Sequence, residues 1–237
     1  WPVPACMEDV LRGKVVSKLT RRGKYLLIGI DSGTALLHLG MSGSLRVINK
    51  NVPATKHDHI DIVLVSGKAI RFNDPRRFGS LLWSDKDPLK HKLLSALGPE
   101  PLTNEFDGYY LYKKSKGRRV SIKQLIMNNN IVVGVGNIYA SESLFRAGIH
   151  PARQAGRVSK KRYVRLALEI KRVLSEAIEM GGTTLRDFHG SDGKPGYFRI
   201  KLKVYGRAGE HCDNCGSAIK YIAQGQRATY YCGSCQS

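Results

Sequence analysis

The sequence has 237 residues, 42% of them hydrophobic, and its 39 Lys and Arg residues against 19 Asp and Glu residues give a formal net charge of +20 at pH 7. A chain of this length and apolar content can fill two hydrophobic cores, and its positive charge predicts a polyanionic partner, DNA or RNA more readily than an anionic membrane surface. No apolar run reaches the ~20 residues of a membrane span, and neither a lipidation motif nor a signal peptide is recognisable, so we expect an intracellular protein.

The first part of the chain, up to about residue 83, predicts an antiparallel β-sandwich. Its apolar runs are short and strand-like, at residues 15–16, 25–30, 35–39 and 60–65. Turn signals at residues 31–33 and 66–68 separate them, with the spacing that antiparallel sheets show. Residues 85–101 then predict a linker that contains one short helix and ends in Gly-Pro-Glu-Pro.

Beyond residue 101 the apolar residues recur with a helical period. Ser121 is expected to cap one helix, and Asn137 a second helix that stops at Gly148. The longest helix is expected to begin after Ser159 and to end at the two glycines of residues 181–182. Its apolar face is predicted to carry Leu166, Ile170, Val173, Leu174, Ala177 and Ile178.

Four of the five cysteines lie at the end of the chain as C-x2-C, a sixteen-residue spacer and C-x2-C: Cys212, Cys215, Cys232 and Cys235. Two thiolates two residues apart bind one side of a tetrahedral ion, and the spacer is long enough for a β-hairpin that returns the second pair. Two disulfides in a secreted domain are the alternative, but nothing else in the chain indicates secretion. We therefore expect one structural zinc ion, with Cys6 as an ordinary thiol.

Six longer motifs occur in a fixed order: HLGMSG (38–43), KHDH (56–59), DPRRFG (74–79), GVGNIYA (134–140), SDGKPGYF (191–198) and QRATYYC (226–232). Together they resemble the bacterial formamidopyrimidine-DNA glycosylase (8-oxoguanine DNA glycosylase) family, from Trp1 to the last cysteine, and favour it over the related endonuclease VIII branch. The resemblance implies a DNA repair enzyme that flips out and removes oxidised purines such as 8-oxoguanine and formamidopyrimidines. It would then cleave the abasic strand by β,δ-elimination through a Schiff-base intermediate.

The predicted elements and the resemblance agree on the fold, which is α+β. An antiparallel β-sandwich catalytic domain is expected over residues 1–98, a helix–two-turn–helix DNA-binding domain over residues 99–200 and a zinc-finger β-hairpin over residues 201–237. The partner would be double-stranded DNA with oxidised purines or abasic sites, and not a membrane. A monomer in the bacterial cytoplasm, associated with the nucleoid when bound to DNA, is expected.

One feature of the family is missing from the printed residues. The family's chemistry begins with an N-terminal proline amine followed by glutamate, on a helix and strand that precede a segment resembling residues 1–4. The secondary amine would attack the sugar C1′ as the base leaves and form an iminium that acts as an electron sink for elimination, and the glutamate would shuttle protons. We expect the sequence to be a fragment, or one whose numbering starts late. On its own it should bind DNA without excising a base, and no residue here is proposed as the nucleophile.

The resemblance assigns elimination chemistry to two basic residues. Lys24, at the start of a predicted strand, matches the lysine that transfers a proton in β-elimination and contacts a flanking phosphate. Arg227, between the two cysteine pairs, matches the arginine that lies at the phosphates beside the flipped nucleotide and acts in δ-elimination. A planar guanidinium suits this contact, whereas Lys24 without the resemblance would be a solvated surface lysine.

Met41, Arg76 and Phe78 match the family residues that fill the space left by the flipped base. Unstacking a base costs a few kcal/mol, and a flexible apolar wedge, a stacking ring and a guanidinium suit the vacated space. Without the resemblance, Met41 and Phe78 would be assigned to the core. Residues 191–198 resemble a mobile loop that closes over the extruded base.

DNA contacts are implied for seven residues: His38, His57, Arg76, Arg118, Lys123, Asn137 and Tyr205. Asn137 follows two glycines at a helix start, where backbone N–H groups and the helix dipole favour a phosphate. Lys123 is expected near the damaged base and Tyr205 near the backbone of the lesion. Arg118 lies in the basic stretch 113–119, which would otherwise be a solvated loop.

Two other functions fit parts of the sequence. A non-catalytic binder of damaged or abasic DNA would fit if the leading proline and glutamate are missing in the cell. A zinc-ribbon ribosomal or transcription protein would fit the charge and the cysteines. That class gives no reason for Met41, Arg76 and Phe78 in the loops of a sandwich.

Overall fold

The structure is a computed structural model that describes residues 2–182 and 202–237. The described residues form two compact units, one of residues 2–96 with 181–182 and one of residues 97–180 with 202–237. The expected α+β organisation is confirmed, with a β-rich first unit and a second unit that holds the helices and the C-terminal hairpin. Within the described ranges, no helix combines the length and the hydropathy needed to cross a bilayer.

The first unit contains one short helix and seven strands. They are α1 (Met7–Leu11), β1 (Lys18–Arg22), β2 (Tyr25–Ile30), β3 (Gly33–His38), β4 (Ser44–Asn49), β5 (Asp58–Val63), β6 (Lys68–Asn73) and β7 (Ser80–Ser84). The strands form two antiparallel sheets, one in the order β1-β2-β3-β7 and the other in the order β4-β6-β5. Apolar side chains of both sheets share one core, in which Ile28, Leu37 and Leu81 of the first sheet pack with Leu45 and Ile60 of the second.

The first strand begins later than the sequence predicts. Val15 and Val16 lie outside any strand and are 79% and 48% exposed, whereas β1 begins at Lys18. Lys18 pairs with Gly29, one residue before β2 ends at Ile30, so the chain ahead of Lys18 extends past its partner strand. The run at residues 25–30 coincides with β2, and the runs at 35–39 and 60–65 overlap β3 and β5 but end one and two residues beyond them.

The second unit contains four helices around one core. They are α2 (Gly108–Ser115), α3 (Ile122–Ile126), α4 (Asn137–Ala147) and α5 (Lys160–Glu179). Short 3₁₀ turns lie at Pro88–Lys90, in the first unit, and at Ala155–Arg157. Leu111, Leu144 and Ile170, from three different helices, are fully buried together.

Local signals set three helix ends as the sequence predicts. Ser121 forms a capping box with Gln124 at the start of α3. Ser159 accepts a hydrogen bond from the Arg162 N–H at the start of α5. Gly148 ends α4 with a φ of 70°, which glycine adopts without steric cost.

Two of the helical predictions are wrong. Asn137 does not cap α4, because Gly136 holds the cap position and the Asn137 side chain donates to Tyr205 and Ala228 instead. Ile178 does not belong to the buried face of α5 and is 67% exposed. It follows the buried Ala177 by one residue, which turns it about 100° around the helix axis.

The C-terminal hairpin consists of β8 (Ile219–Gln224) and β9 (Arg227–Cys232). Gly225 and Gln226 join the strands with φ angles of 53° and 61°, the conformation that two-residue hairpin turns use. The hairpin and α4 share a small cluster formed by Phe145, Val204, Cys212, Ile219 and Cys232. The hairpin is therefore packed on the helices within the second unit.

Candidate functional site

Two loops of the first unit carry large side chains outward. Met41, in the turn between β3 and β4, is 59% exposed, and Phe78, in the loop between β6 and β7, is 53% exposed. The Arg76 guanidinium stands 4.8 Å from the centre of the Phe78 ring, a cation–π contact within the second loop. The structure thus places these three side chains in loops, outside the hydrophobic core.

These two loops are joined through a buried carboxylate and through glycine. Asp74 is 1% exposed, and its carboxylate accepts hydrogen bonds from the Ser42 hydroxyl at 3.3 Å and from the Gly79 N–H at 2.7 Å. A Cβ added at Gly40 would lie 2.6 Å from the backbone carbonyl carbon of Phe78. Only glycine allows the loops to approach this closely.

Lys24 and His38 lie close together in the first sheet. Lys24 is exposed in the turn before β2, and His38 ends β3 with its ring 4.8 Å from the Tyr25 ring. His38 Nδ1 accepts the Gly40 N–H at 2.9 Å, so the neutral ring carries its proton on Nε2. Burial, and then the positive charge of Lys24, lower the pKa of His38 below its ordinary value. The ring is therefore neutral at pH 7.

His57 lies beside the loop that carries Arg76. It immediately precedes β5, and its carbonyl accepts the Asp74 N–H at 2.9 Å. The ring nitrogen Nε2 of His59 also lies 3.0 Å from the Asp74 carbonyl oxygen. The start of β5 is thereby attached to the beginning of the second loop.

In the second unit, Lys123 of α3 is buried against the hairpin. Its side chain is 2% exposed, and Nζ donates to the Ala228 carbonyl at 3.1 Å and to the Thr229 hydroxyl at 2.8 Å. Burial, and then the charge of Arg227, lower the pKa of Lys123 to about 8. Lys123 thus directs its amine at β9.

Asn137 of α4 contacts the same strand. Its Nδ2 donates to the Ala228 carbonyl at 3.0 Å and to the Tyr205 hydroxyl at 3.2 Å. Its Oδ1 is buried and has no hydrogen-bond partner within the described part of the chain. The Tyr205 ring packs edge-on against Tyr230, with ring centres 4.9 Å apart. Asn137, Tyr205 and Lys123 therefore converge on the start of β9.

Arg227 is the exposed first residue of β9, directly after the tight turn. The next residue, Ala228, is held by Lys123 and Asn137, so the backbone from which Arg227 projects is fixed. Arg118 is exposed in the loop that follows α2. Among the described residues, no hydrogen bond joins its side chain to the group around Arg227.

A buried glutamate of α4 positions Tyr205. Glu142 is 0% exposed, and its carboxylate accepts the backbone N–H groups of Lys203 at 2.9 Å, Val204 at 3.0 Å and Tyr205 at 2.9 Å. These donors replace the water that a carboxylate loses on burial. Glu142 belongs to no predicted site, and its only local signal in the sequence is a carboxylate on a helix with many apolar residues.

The four C-terminal cysteines lie together as free thiols. All four sulfurs lie within 4.8 Å of one another, with Cys215 and Cys232 at 3.4 Å and Cys212 and Cys235 at 3.9 Å. A disulfide needs about 2.05 Å, whereas a tetrahedral zinc ion with Zn–S bonds of about 2.3 Å separates its sulfurs by about 3.8 Å. Hydrogen bonds from Ser217 lower the pKa of Cys215 to about 6, and burial raises the pKa of Cys232, so that thiol needs a cation to ionise. The donor set fits one structural zinc ion.

Three family models match the chain. The formamidopyrimidine-DNA glycosylase N-terminal domain matches residues 1–81, the formamidopyrimidine-DNA glycosylase H2TH domain matches residues 97–189, and the zinc finger found in FPG and IleRS matches residues 209–237. A formamidopyrimidine-DNA glycosylase of Stutzerimonas stutzeri (strain A1501) is 58% identical over 236 residues, which span 100% of this chain and 87% of the relative. The chain belongs to the formamidopyrimidine-DNA glycosylase family.

Solved structures of formamidopyrimidine-DNA glycosylases share the backbone. The Lactococcus lactis Fpg in complex with DNA that contains an abasic site has a TM-score of 0.87 at 34% identity, over 95% of this chain and 83% of the other. MutM in complex with DNA that contains carbocyclic 8-oxo-G has a TM-score of 0.90 at 33% identity, over 98% of this chain and 85% of the other. The family match thus extends from the sequence to the fold.

The structure places the predicted site residues in separate groups. Lys24 lies with His38, while Met41, Arg76 and Phe78 lie on two adjoining loops with His57 beside them. A second-unit group surrounds the start of β9: Lys123, Asn137, Tyr205 and Arg227. Arg118 stands apart from these contacts, and the predicted loop at 191–198 lies outside the described residues.

Proposed function

We propose that this protein is a base-excision DNA repair glycosylase with abasic-site lyase activity. It acts on double-stranded DNA, flips out and removes 8-oxoguanine and formamidopyrimidines, and cuts the strand by β,δ-elimination through a Schiff-base intermediate. The observation that carries the proposal is the 58% identity to a formamidopyrimidine-DNA glycosylase across 100% of this chain. The complexes of MutM with 8-oxo-G DNA and of Fpg with abasic-site DNA support the substrate class.

Base flipping is the task of the two adjoining loops of the first unit. Flipping a base out of the duplex costs roughly a few kcal/mol in lost stacking and pairing, and it leaves a gap in the stack. The exposed Met41 thioether and Phe78 ring are suited to enter the gap. Arg76, held against Phe78, offers guanidinium donors to the base left without a partner. His57, beside this loop, is assigned a contact with the DNA.

Proton transfer in β-elimination is assigned to Lys24. Its side chain is exposed in the turn before β2, close to the neutral ring of His38. A neutral imidazole adds no second positive charge beside Lys24 and keeps an Nε2–H for a phosphate oxygen. We therefore assign His38 to DNA binding and leave proton transfer to Lys24.

Phosphate binding is assigned to the second unit. The N-terminus of α4 has no side-chain cap, and it presents the positive end of the helix dipole. Arg227 projects from a backbone that Lys123 and Asn137 hold in place, and its guanidinium suits a phosphate beside the flipped nucleotide and δ-elimination. Arg118 is assigned a further phosphate contact, and Tyr205 a contact near the lesion.

Zinc has a structural role in this proposal. Bound zinc supplies a cross-link and no reaction chemistry, because four thiolates fill its coordination sphere and leave no position for water. The cysteines hold the base of the hairpin, and the turn at its other end leads directly into Arg227.

Two DNA duplexes test the proposal: one with a single 8-oxoguanine opposite cytosine, and one with a tetrahydrofuran abasic analogue. Protein that carries the family's leading proline and glutamate is expected to release 8-oxoguanine, to leave phosphates at both ends of the gap and to be trapped on DNA by borohydride. A protein of residues 1–237 is expected to bind the abasic duplex with an affinity roughly tenfold or more above its affinity for undamaged duplex. Binding by the proline-bearing protein without base release would instead favour a damage-binding protein, and preference for RNA would favour a zinc-ribbon protein.

Location, assembly and domain limits are proposals as well. The bacterial origin of the formamidopyrimidine-DNA glycosylase relative supports a cytoplasmic protein that associates with the nucleoid when it binds DNA. A monomer is proposed from the family. The proposed domain limits are residues 1–98, 99–200 and 201–237, with the zinc finger counted separately for its role although it packs on α4.

A further inference from the structure

We propose that Asp74 is a positioning residue that fixes the Met41 turn and the Phe78 loop in one arrangement, so that both side chains enter the DNA stack together. The proposal rests on the function proposed above, in which Met41, Arg76 and Phe78 fill the space left by the flipped base. Asp74 itself is buried and is assigned no contact with DNA.

The geometry of the Asp74 carboxylate carries the inference. Asp74 follows directly after β6 and is 1% exposed. One oxygen, Oδ1, accepts from the Ser42 hydroxyl at 3.3 Å, and the other, Oδ2, accepts from the Gly79 N–H at 2.7 Å. Ser42 is the residue after Met41, and Gly79 is the residue after Phe78. The carboxylate therefore reaches the immediate neighbour of each outward side chain.

The backbone of Asp74 restrains the second loop further. Its carbonyl accepts the Arg77 N–H at 3.3 Å, and Arg77 has a φ of 55°, a left-handed conformation that non-glycine residues rarely adopt. The N–H of Asp74 donates to the His57 carbonyl at 2.9 Å. Asp74 thus links β5, the turn that contains Arg77 and the Met41 turn.

Close packing makes the two loops sensitive to this link. A Cβ at Gly79 would lie 2.4 Å from the Phe72 ring and 2.8 Å from the His38 carbonyl oxygen. A Cβ at Gly40 would lie 2.6 Å from the Phe78 carbonyl carbon. Since the loops touch along their backbones, a displacement of one without the other requires the Asp74 hydrogen bonds to break.

Three substitutions separate this role from a general effect on folding. Asp74→Ala removes both hydrogen bonds, and Ser42→Ala removes only the bond to the Met41 turn. Asp74→Asn keeps both contacts, because its amide oxygen can accept the Gly79 N–H while its NH2 donates to the Ser42 hydroxyl. The matched control is Asp61→Asn, at a carboxylate in the middle of β5 that accepts two hydrogen bonds from the buried guanidinium of Arg71.

The measurement is the ratio of the dissociation constants for undamaged duplex and for duplex with a tetrahydrofuran abasic analogue. Fluorescence of 2-aminopurine opposite the analogue gives a second readout of whether the gap is filled. We expect Asp74→Ala to lower the ratio about tenfold and Ser42→Ala about threefold to fivefold, from the usual strength of such hydrogen bonds. Asp74→Asn should stay within about twofold of the unaltered protein, and Asp61→Asn should lower stability while leaving the ratio unchanged.

The control Met41→Ala separates failure of this inference from failure of the proposed function. If Met41→Ala lowers the ratio while Asp74→Ala and Ser42→Ala do not, Asp74 has no positioning role. If Asp61→Asn lowers the ratio as much as Asp74→Ala, the effect comes from lost stability and the inference is wrong. If Met41→Ala leaves the ratio unchanged, the void-filling assignment fails and this inference fails with it.

Discussion

The ammonium group of Lys123 lies between α3 and β9, where it is 2% exposed and donates to the Ala228 carbonyl and the Thr229 hydroxyl. Burial, and then the charge of Arg227, lower its pKa to about 8 from the ordinary value of 10.5. Below pH 8 the folded and unfolded chains both hold the proton, so the cost of the buried charge is fully present. Between pH 8 and 10.5 only the unfolded chain holds it, so the free energy of unfolding rises with pH.

We expect Lys123→Met to remove this rise, because Met cannot titrate. Across the full interval between the folded and unfolded pKa values of Lys123, the free energy of unfolding should rise by roughly 3 kcal/mol. Urea unfolding of the zinc-loaded protein from about pH 7 to about pH 10 measures it. Lys161→Met, at an exposed position of α5, is the control and should keep the rise. Parallel pH profiles for Lys123→Met and the unaltered protein would contradict the lowered pKa.

Roles of single residues could be predicted where a motif carries them, and not where a distant contact decides them. Met41 and Phe78 are exposed in loops as their motifs indicate, although such residues are usually buried. Asn137 contacts a carbonyl 91 residues away, and Lys123 contacts a hydroxyl 106 residues away. No local pattern indicates a partner at such a separation. The sequence therefore predicts the helices that carry both residues but not their contacts with β9.

At the scale of elements, the hairpin β8–β9 depends on its metal because the hydrophobic cluster that it shares with α4 is small within the described residues. Cys232 ends β9 and is 0% exposed. We expect Cys232→Ala to lose zinc, unfold the hairpin and abolish DNA binding. Cys6→Ala, at an exposed thiol outside the cluster, should bind zinc and DNA normally. Metal content by mass spectrometry and binding to the abasic duplex test this, and tight binding by metal-free protein would refute it.

Glu142 attaches α4 to the segment that leads into the hairpin. In Glu142→Gln the amide keeps one acceptor oxygen and turns its NH2 toward the remaining N–H donor, so that donor loses its partner. We expect the free energy of unfolding to fall by about 1–3 kcal/mol. Glu179→Gln, at the exposed end of α5, should change it by less than about 0.5 kcal/mol. Equal values for the two variants in urea unfolding would show that the hydrogen bond lost in Glu142→Gln contributes nothing.

Elements with an explicit start or stop signal could be predicted closely. α3 and α5 begin after Ser121 and Ser159, and α4 ends at Gly148. α2 was missed because its last turn, Lys113 and Lys114, belongs to a charged stretch that resembles a solvated loop. The start of β1 was misplaced because strand limits depend on the length of the partner strand, which the local sequence does not contain.

At the scale of the whole molecule, the net charge of +20 makes DNA binding depend on salt. Each phosphate neutralised by the protein adds about −0.9 to the slope of log K against log salt concentration. We expect Arg118→Ala to weaken binding to damaged and undamaged duplex alike. The slope should become shallower by about 0.9, the contribution of one phosphate. Arg172→Ala, at a guanidinium that pairs with Glu169, should leave the slope unchanged. Fluorescence anisotropy over a salt series measures both, and an unchanged slope in Arg118→Ala would remove Arg118 from the phosphate contacts.

The general organisation could be predicted from charge, apolar period and motif order. The change from short strands to helices near residue 100 gives the α+β plan, and the cysteine spacing gives the zinc hairpin. The strand order β4-β6-β5 could not be predicted, because several antiparallel orders satisfy the same alternation of apolar residues. The contact between the Met41 and Phe78 loops was missed for a similar reason, since it depends on backbone approach at glycines far apart in the sequence.

The Ala228 carbonyl oxygen accepts hydrogen bonds from Lys123 of α3 and from Asn137 of α4. Two helices are thus aligned to a single atom, one residue from Arg227. A shift of either helix displaces the same peptide group, and the guanidinium moves with it. With carbon-13 at the Ala228 carbonyl, the chemical shift of this one NMR resonance consequently reports a displacement of either helix relative to the hairpin.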